Sequence, residues 1–290
     1  MISFLVNIDW LYVSPPILKA NKMEFKYLNK DKNHPLIEHF YQIKITEEDL
    51  PFKSIILPAN QASITCIYGN QQYIIKDNYK TPLKNLILSG QIHGGYEYIV
   101  NDPGYSIGFS LKPSALYKIM QTDISKITNK HISLKEINLD LYNQLNPLFL
   151  TYKNDISRLI TLLYEVFDAF TYVQGENITH IDKAIDFIIE KEGLIKVNEL
   201  LKVVPFSQKS LENKFKKIIG LTPGRYIRQY RFMRLMRKYT SKQIDLKDLM
   251  CMYNYYDHSH FTRDFKLFML QTPSTYFKNE YPFLNKYLKE

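Results

Sequence analysis

Two short runs of polar side chains, fifty positions apart, carry the groups in this sequence best suited to gripping a polyanion. The first presents Lys209, Glu212, Asn213 and Lys216; the second presents Ser259, Arg263 and Lys266, flanked by His258 and Thr262. Cations at this spacing can pair with phosphate oxygens, while amide, hydroxyl and guanidinium groups can read the hydrogen-bonding edges of bases. Each run shares its segment with an apolar triplet spaced i, i+4, i+7. These are Leu211, Phe215 and Ile218 in the first segment, and Phe261, Phe265 and Phe268 in the second. That spacing places the triplet on one helical face and the polar groups opposite.

The elements that must hold these faces are written twice. Ser207 and Asp257, four positions before each triplet, suit a helix N-cap. Thr222-Pro223 and then Tyr226 follow the first triplet, and Thr272-Pro273 and then Tyr276 follow the second. A shorter amphipathic helix precedes each: Val197, Leu200, Leu201 and Val204 match Leu246, Leu249, Met250 and Tyr253 at an offset of 49, so the second connection is one residue longer. Short helix, turn and capped second helix is the pattern of a helix-turn-helix, here repeated.

Between the copies, Thr222-Pro223 reads as a cap with proline at the first helical position, continued as helix from Tyr226 to Tyr239. Arg225, Arg228, Arg231, Arg234 and Arg237 recur every third residue along it. Such a row winds around a helix, so the expectation is that one or two of the five meet phosphate and the others meet solvent or pair within the chain.

Charge follows the same division. Residues 176–290 carry 21 Lys+Arg against 13 Asp+Glu, whereas residues 1–175 carry 17 against 16, and six of the seven arginines lie in the basic part. This concentration favours phosphate contacts over generic solubility. The chain has 290 residues, 45% apolar and 23% charged, enough for two domains of a soluble protein. Cys66 and Cys251 form no CxxC pair, which suits a reduced compartment without a disulfide framework. The apolar run Met1 to Val13 contains Asp9, lacks a basic leader and stops at Pro15-Pro16, so neither a signal peptide nor a membrane span is expected. The expected location is cytoplasmic.

From Met23 to about Leu111 the pattern is short and alternating: Glu24 to Leu28, Ile37 to Ile45, Ala62 to Tyr68, Gln72 to Lys76, Asn85 to Leu88, Tyr96 to Val100 and Ser106 to Leu111. Turn residues such as Gly69-Asn70, Gly94-Gly95 and Asn101 to Gly104 separate them. Such strands predict a small antiparallel barrel or sandwich. Helices are then expected over Pro113 to Gln121, Leu139 to Leu150 and Asp155 to Tyr172. The apolar stripe of the last, through Leu159, Leu163 and Phe167, either packs on the barrel or forms a dimer contact. The domain junction is placed at Gln174 to Asn177, giving domains 1–175 and 176–290, and Ile178 to Glu192 reads as the opening helix of the second. The fold class is therefore α+β, an antiparallel β-barrel with trailing helices followed by an all-α domain of two helix-turn-helix units on a linker helix.

The run Phe206-Ser207 through Leu211, Phe215-Lys216, Gly220-Leu221-Thr222-Pro223, Tyr226-Ile227 and Arg231, continued by Tyr255 through Lys266 and by Thr272 through Tyr276, resembles the DNA-binding domain of AraC/XylS-type transcriptional regulators. The resemblance spans about the last 110 residues. It implies that the two recognition helices enter successive major-groove segments of a double-stranded operator and that the protein recruits or obstructs RNA polymerase. It places Lys209, Glu212 and Asn213, with His258, Thr262 and Arg263, toward the bases; Gln208, Lys216, Ser259 and Lys266 complete the candidate DNA-binding set. More weakly, Phe109 through Pro113 is similar to the barrel-to-helix junction of the cupin-like sensor domains in such regulators, which implies a small effector or a homodimer. Pro205 and Asn254 replace the glycine usual in each turn, Leu201 and Met250 the usual small residue, and Leu270 the glycine of a second Gly-x-Thr-Pro. Asn254 can take a left-handed conformation and Pro205 cannot.

Other chemistries find less support. Gly104-Tyr105-Ser106-Ile107-Gly108 spells G-x-S-x-G, but the continuation Phe109-Ser110-Leu111 reads as strand, where a nucleophile elbow needs a sharp strand-to-helix turn. No catalytic residue is assigned. His34, His39 and His93 form no HxH pair, and His258 and His260 point in different directions on a helix, so no metal and no cofactor are expected. A basic module for RNA or an acidic protein partner is the rival function. RNA readers expose stacking aromatics, whereas Phe215, Phe261, Phe265 and Phe268 fall on inward faces.

Overall fold

A computed structural model describes residues 23–28, 33–241, 245–255 and 257–289. The Met1 to Val13 run and Pro15-Pro16 lie outside the described residues. The alternating segments form an antiparallel sheet: β1 (Glu24–Leu28), β2 (Ile37–Ile45), β3 (Phe52–Ile56), β4 (Ser63–Lys76), β5 (Tyr79–Ser89), β6 (Tyr96–Val100), β7 (Gly104–Leu111) and β8 (His131–Ser133). β2 lies between β1 and β7, and β7 pairs with the first half of β4. The second half of β4 pairs with β6, which in turn pairs with β3, while β5 follows both halves of β4 and takes β8 on its far edge. Because the two halves of β4 serve different neighbours, the sheet curls into a barrel.

The segments Ala62 to Tyr68 and Gln72 to Lys76, expected as separate strands, are this one strand. Its register shifts between Ile67 and Gln72, where Gly69 has φ 109 and Gln71 φ 49. Gly69-Asn70 therefore marks a bulge that bends the strand and not a turn that ends it. The side chain missing at Gly69 also leaves room for the backbone of Pro103 and Gly104.

Helices α1 (Ala115–Met120), α2 (Leu134–Ile137), α3 (Leu139–Thr151) and α4 (Ile156–Asp168) follow. The stripe of α4 packs on the barrel, with Phe167 edge-on to Phe109 at 5.3 Å and Leu159, Ile160 and Leu163 in the same buried cluster as Phe40. His34, one of the barrel histidines weighed for a metal, has a structural task. Its Nδ1 accepts from the backbone N–H groups of Leu36 and Ile37, and its Nε2 lies 3.1 Å from Asp168.

The basic part holds α5 (Glu176–Glu190), α6 (Val197–Leu200), α7 (Gln208–Ile219), α8 (Pro223–Thr240), α9 (Leu246–Met252), α10 (His258–Met269), α11 (Pro273–Tyr276) and α12 (Pro282–Leu288). They build two cores that share one helix: Tyr226 and Ile227 of α8 join α5, α6 and α7, whereas Phe232, Met233, Leu235 and Met236 join α9, α10 and α12. Contacts also cross between the barrel and these helices. Ile55 and Leu57 enter the second helical core, and Phe283 of α12 enters a barrel core. Asn60 donates to the Tyr226 carbonyl at 3.0 Å, Thr128 to that of Gly220 at 2.7 Å, and the Gly95 N–H to that of Leu267 at 2.9 Å. Among the described residues no helix is long and apolar enough to cross a membrane.

Candidate nucleic-acid interface

Each predicted recognition helix starts where a side chain satisfies its first free N–H groups. Ser207 Oγ accepts from Ser210 N at 3.3 Å, and Asp257 Oδ1 accepts from His260 N at 2.6 Å. Leu211, Phe215 and Ile218 are buried on one side of α7, as are Phe261, Phe265 and Phe268 on one side of α10. Fully burying one such phenylalanine contributes about 2–3 kcal/mol, so these triplets fix which face is left outward. On those outward faces Gln208, Lys209, Asn213, Lys216, His258, Ser259, Arg263 and Lys266 are exposed, and Glu212 and Thr262 are half-buried. Within this set Gln208 donates to Glu212 at 3.0 Å, and Arg263 Nε reaches the Ser259 carbonyl at 3.3 Å.

The two units differ in their supporting parts. α6 is a single turn, after which bonds of the 3-10 type continue from Leu201, Lys202 and Val203. Pro205 explains this tightening, because a proline disfavours the α conformation in the residue before it. α9 runs seven residues, and its turn places Asn254 at φ 58, the left-handed conformation that asparagine tolerates. At the far end of α10, Leu270 has φ 57 where Gly220 closes α7 at φ 95. A non-glycine residue in that conformation costs roughly 1 kcal/mol, and Leu270 is also exposed.

The arginine row of α8 is largely consumed within the chain. Arg228 Nε donates to Asp264 Oδ1 at 2.6 Å and its Nη2 also meets that carboxylate; Arg231 Nη2 lies 4.0 Å from Oδ2, and the Tyr255 hydroxyl donates to Oδ2 at 2.9 Å. Asp264 is fully buried on the inner side of α10, so these bonds clamp the second recognition helix to the linker. Further along, Glu192 accepts from Arg234 at 2.9 Å and from Lys238 and Tyr253 at 2.8 Å each. Burial pushes the Glu192 carboxyl up, but those three donors outweigh it and hold it at about 2. Arg225, at the start of α8, is exposed.

Ser106 sits inside β7, buried, with Oγ donating to Gln72 Oε1 at 3.3 Å, so the G-x-S-x-G run is strand. Among the described residues no three His, Cys, Asp or Glu side chains are grouped to hold a metal ion. His260 packs its ring 5.0 Å from Tyr255, and His93 bonds Gln229 of α8 at 3.2 Å. Sequence reasoning missed Asp264 and Glu192, whose acidic side chains organise the basic surface from beneath it. Asp264 at i+3 from Phe261 could have been read as inward-facing, since it shares the apolar face.

Comparison with known proteins agrees with this geometry. Residues 200–279 match the model of a helix-turn-helix domain. Over 106 residues the chain is 27% identical to a probable transcription factor, PqrA, of Proteus vulgaris, covering 36% of this chain and 87% of that protein. The C-terminal part of this chain therefore carries a helix-turn-helix domain. Residues 32–133, which span most of the barrel, match a domain of unknown function. Among solved structures, ToxT from Vibrio cholerae is 10% identical with a TM-score of 0.47, covering 87% of this chain and 97% of that one. The AraC-like transcriptional activator CuxR is 12% identical with a TM-score of 0.26, covering 70% and 75%.

Proposed function

We propose that both helix-turn-helix units read one double-stranded operator, α7 and α10 lying in successive major-groove segments, under the control of a small effector held by the barrel. What supports the two-box reading is the pairing of two capped helices with exposed polar faces on one shared linker. α8 has 18 residues and so spans about 27 Å, the scale of one DNA turn, roughly 34 Å. Lys209, Glu212, Asn213, His258, Thr262 and Arg263 are the base readers in this proposal. Gln208, Lys216, Ser259 and Lys266 position the helices on phosphate, and Arg225 is the linker cation left for the same task. RNA polymerase is the downstream partner, and homodimerisation would present two such modules.

Effector control draws support from the contacts between the barrel and both recognition units. A ligand that favours one arrangement of those contacts shifts the population able to bind DNA. The test pairs two variants in a fluorescence-anisotropy titration on an operator and on scrambled duplex. Arg263→Ala should relax preference in one box at a cost of about 1–3 kcal/mol if Arg263 reads a base bidentately. Lys216→Ala should weaken binding to all sequences alike and lower the salt slope by about 1. Equal weakening on both duplexes by Arg263→Ala would reassign Arg263 to phosphate, and no effect of either variant would remove these helices from the interface.

A further inference from the structure

The barrel lines a partly open cavity of about 140 Å³, close to the roughly 150 Å³ that admits benzene in an engineered protein core. Much of its wall is aliphatic, from Ile43, Ile67, Ile74, Leu83 and Ile87. Phe283 and Tyr287 of α12 supply another part of the wall, and Phe283 meets Phe25 and Phe52 edge-on at 5.6 Å each. The cavity is thus lined jointly by the barrel and by a helix of the second helix-turn-helix core.

Most hydroxyl groups around it already have partners. Tyr41 bonds Thr65 at 2.6 Å, and Tyr98 donates to Gln72 at 2.7 Å. Two neighbouring polar groups are of particular interest. His131 uses Nδ1 on Ser89 Oγ at 2.8 Å, while its buried Nε2 has no hydrogen-bond partner among the described residues. Tyr96, whose ring stands 5.0 Å from that of His131, also lines the cavity, and no hydrogen bond joins its hydroxyl to another described residue. A buried polar group left unbonded costs about 1–3 kcal/mol, so His131 Nε2 rewards a ligand that supplies the missing bond, and the half-buried Tyr96 stands beside it to share that ligand. Burial pushes the His131 imidazole down to about 4, leaving it neutral, and pushes the Tyr96 phenol well up, leaving it an O–H donor. Among the described lining residues the one permanent cation is Arg237, which has an interaction of its own.

We propose that this cavity binds an uncharged, single-ring organic molecule bearing one hydroxyl or carbonyl group, its polar group on His131 Nε2 and the Tyr96 hydroxyl and its ring against Phe283. A carboxylate would have to leave water for a wall whose one described cation, Arg237, already has an interaction of its own and whose other polar groups are neutral, at a cost of several kcal/mol. The reverse face of α12 places Leu284 and Leu288 in the core around Phe261 and Phe265, so what contacts Phe283 is one helix away from the second recognition helix. The ligand class stands on the cavity alone; its effect on DNA rests on the effector-controlled reading above.

The experiment is calorimetric titration and thermal shift of the full chain with p-cresol, toluene, benzoate and octanoate. The expected order is p-cresol tightest, toluene weaker, and benzoate and octanoate without binding. Tyr96→Phe, which keeps the ring, should weaken p-cresol about five- to tenfold and leave toluene unchanged. Binding of benzoate or octanoate as tight as p-cresol, or no binding of either neutral ring at millimolar concentration, would overturn the proposal. Equal affinity of p-cresol for Tyr96→Phe and the unmodified chain would overturn the assigned polar end. An operator titration with saturating p-cresol then separates the two ideas: binding of p-cresol with no change in DNA affinity keeps the ligand class and rejects effector control.

Discussion

Removing the carboxylate of Asp264 should loosen the second recognition helix from the linker more than any change on the outward face of α10. In Asp264→Ala the Tyr255 hydroxyl loses its acceptor, at about 1 kcal/mol, and Arg228 and Arg231 lose charge-assisted bonds. Breaking a fully buried ion pair costs about 3–5 kcal/mol. Arg228 is 39% exposed and can turn toward water, which brings the expected loss to about 2–3 kcal/mol. Asp264→Asn keeps one acceptor for Arg228 or Tyr255 and should lose about half as much. Urea unfolding followed by circular dichroism measures both, and a double-mutant cycle with Arg228→Ala isolates the pair. A loss below about 0.5 kcal/mol in Asp264→Ala, or full additivity with Arg228→Ala, would refute the idea that this carboxylate clamps α10 to α8.

Other expectations follow from the same contacts. Glu192, held at about 2 against an ordinary value of 4.5, has a depressed folded-state pKa, so its contribution is complete above pH 4.5 and is lost as pH falls toward 2. With partial exposure discounted, that contribution is about 2 kcal/mol, and Glu192→Gln should flatten the acid limb of a stability profile by that amount. Leu270→Gly should raise stability by about 1 kcal/mol, because it relieves the left-handed φ of 57 at the end of α10; a melting temperature that falls would show that the exposed leucine makes contacts worth more than the strain. At Gly95 an added Cβ would collide with the Phe268 carbonyl, so Gly95→Ala should part the barrel from α10. Faster limited proteolysis between the two, with unchanged far-UV circular dichroism, is the expected reading.

How much of this was legible in the sequence depended on how local each determinant was. The triplets Leu211-Phe215-Ile218 and Phe261-Phe265-Phe268, their caps at Ser207 and Asp257, and Thr222-Pro223 are set by neighbours within one or two turns, and all were readable. β3 and β8 were not: the three residues of β8 give too short a pattern, whereas β3 was missed although it is as long as β1 and β6. Gly69-Asn70 was misread for another reason: a bulge and a hairpin turn ask for the same residues, and only the pairing on both sides distinguishes them. The arginine row revealed its winding but not its partners. Three of its members meet Asp264 or Glu192, each 30 or more positions away. The docking of Phe283 into the barrel, across more than 200 residues from Phe52 and Phe25, left no periodic signal at all.

In the proposed function both copies read DNA. Selection of bound sites from random-sequence duplex by the full-length chain, at two salt concentrations, tests it most directly. The expected result is a motif with two boxes centred about one helical turn, roughly 10 bp, apart, retained at the higher salt. A single box would contradict it by reducing one unit to a structural role. Retention that vanishes steeply with salt and yields no motif would contradict it altogether, leaving only non-specific attraction between a basic surface and phosphate.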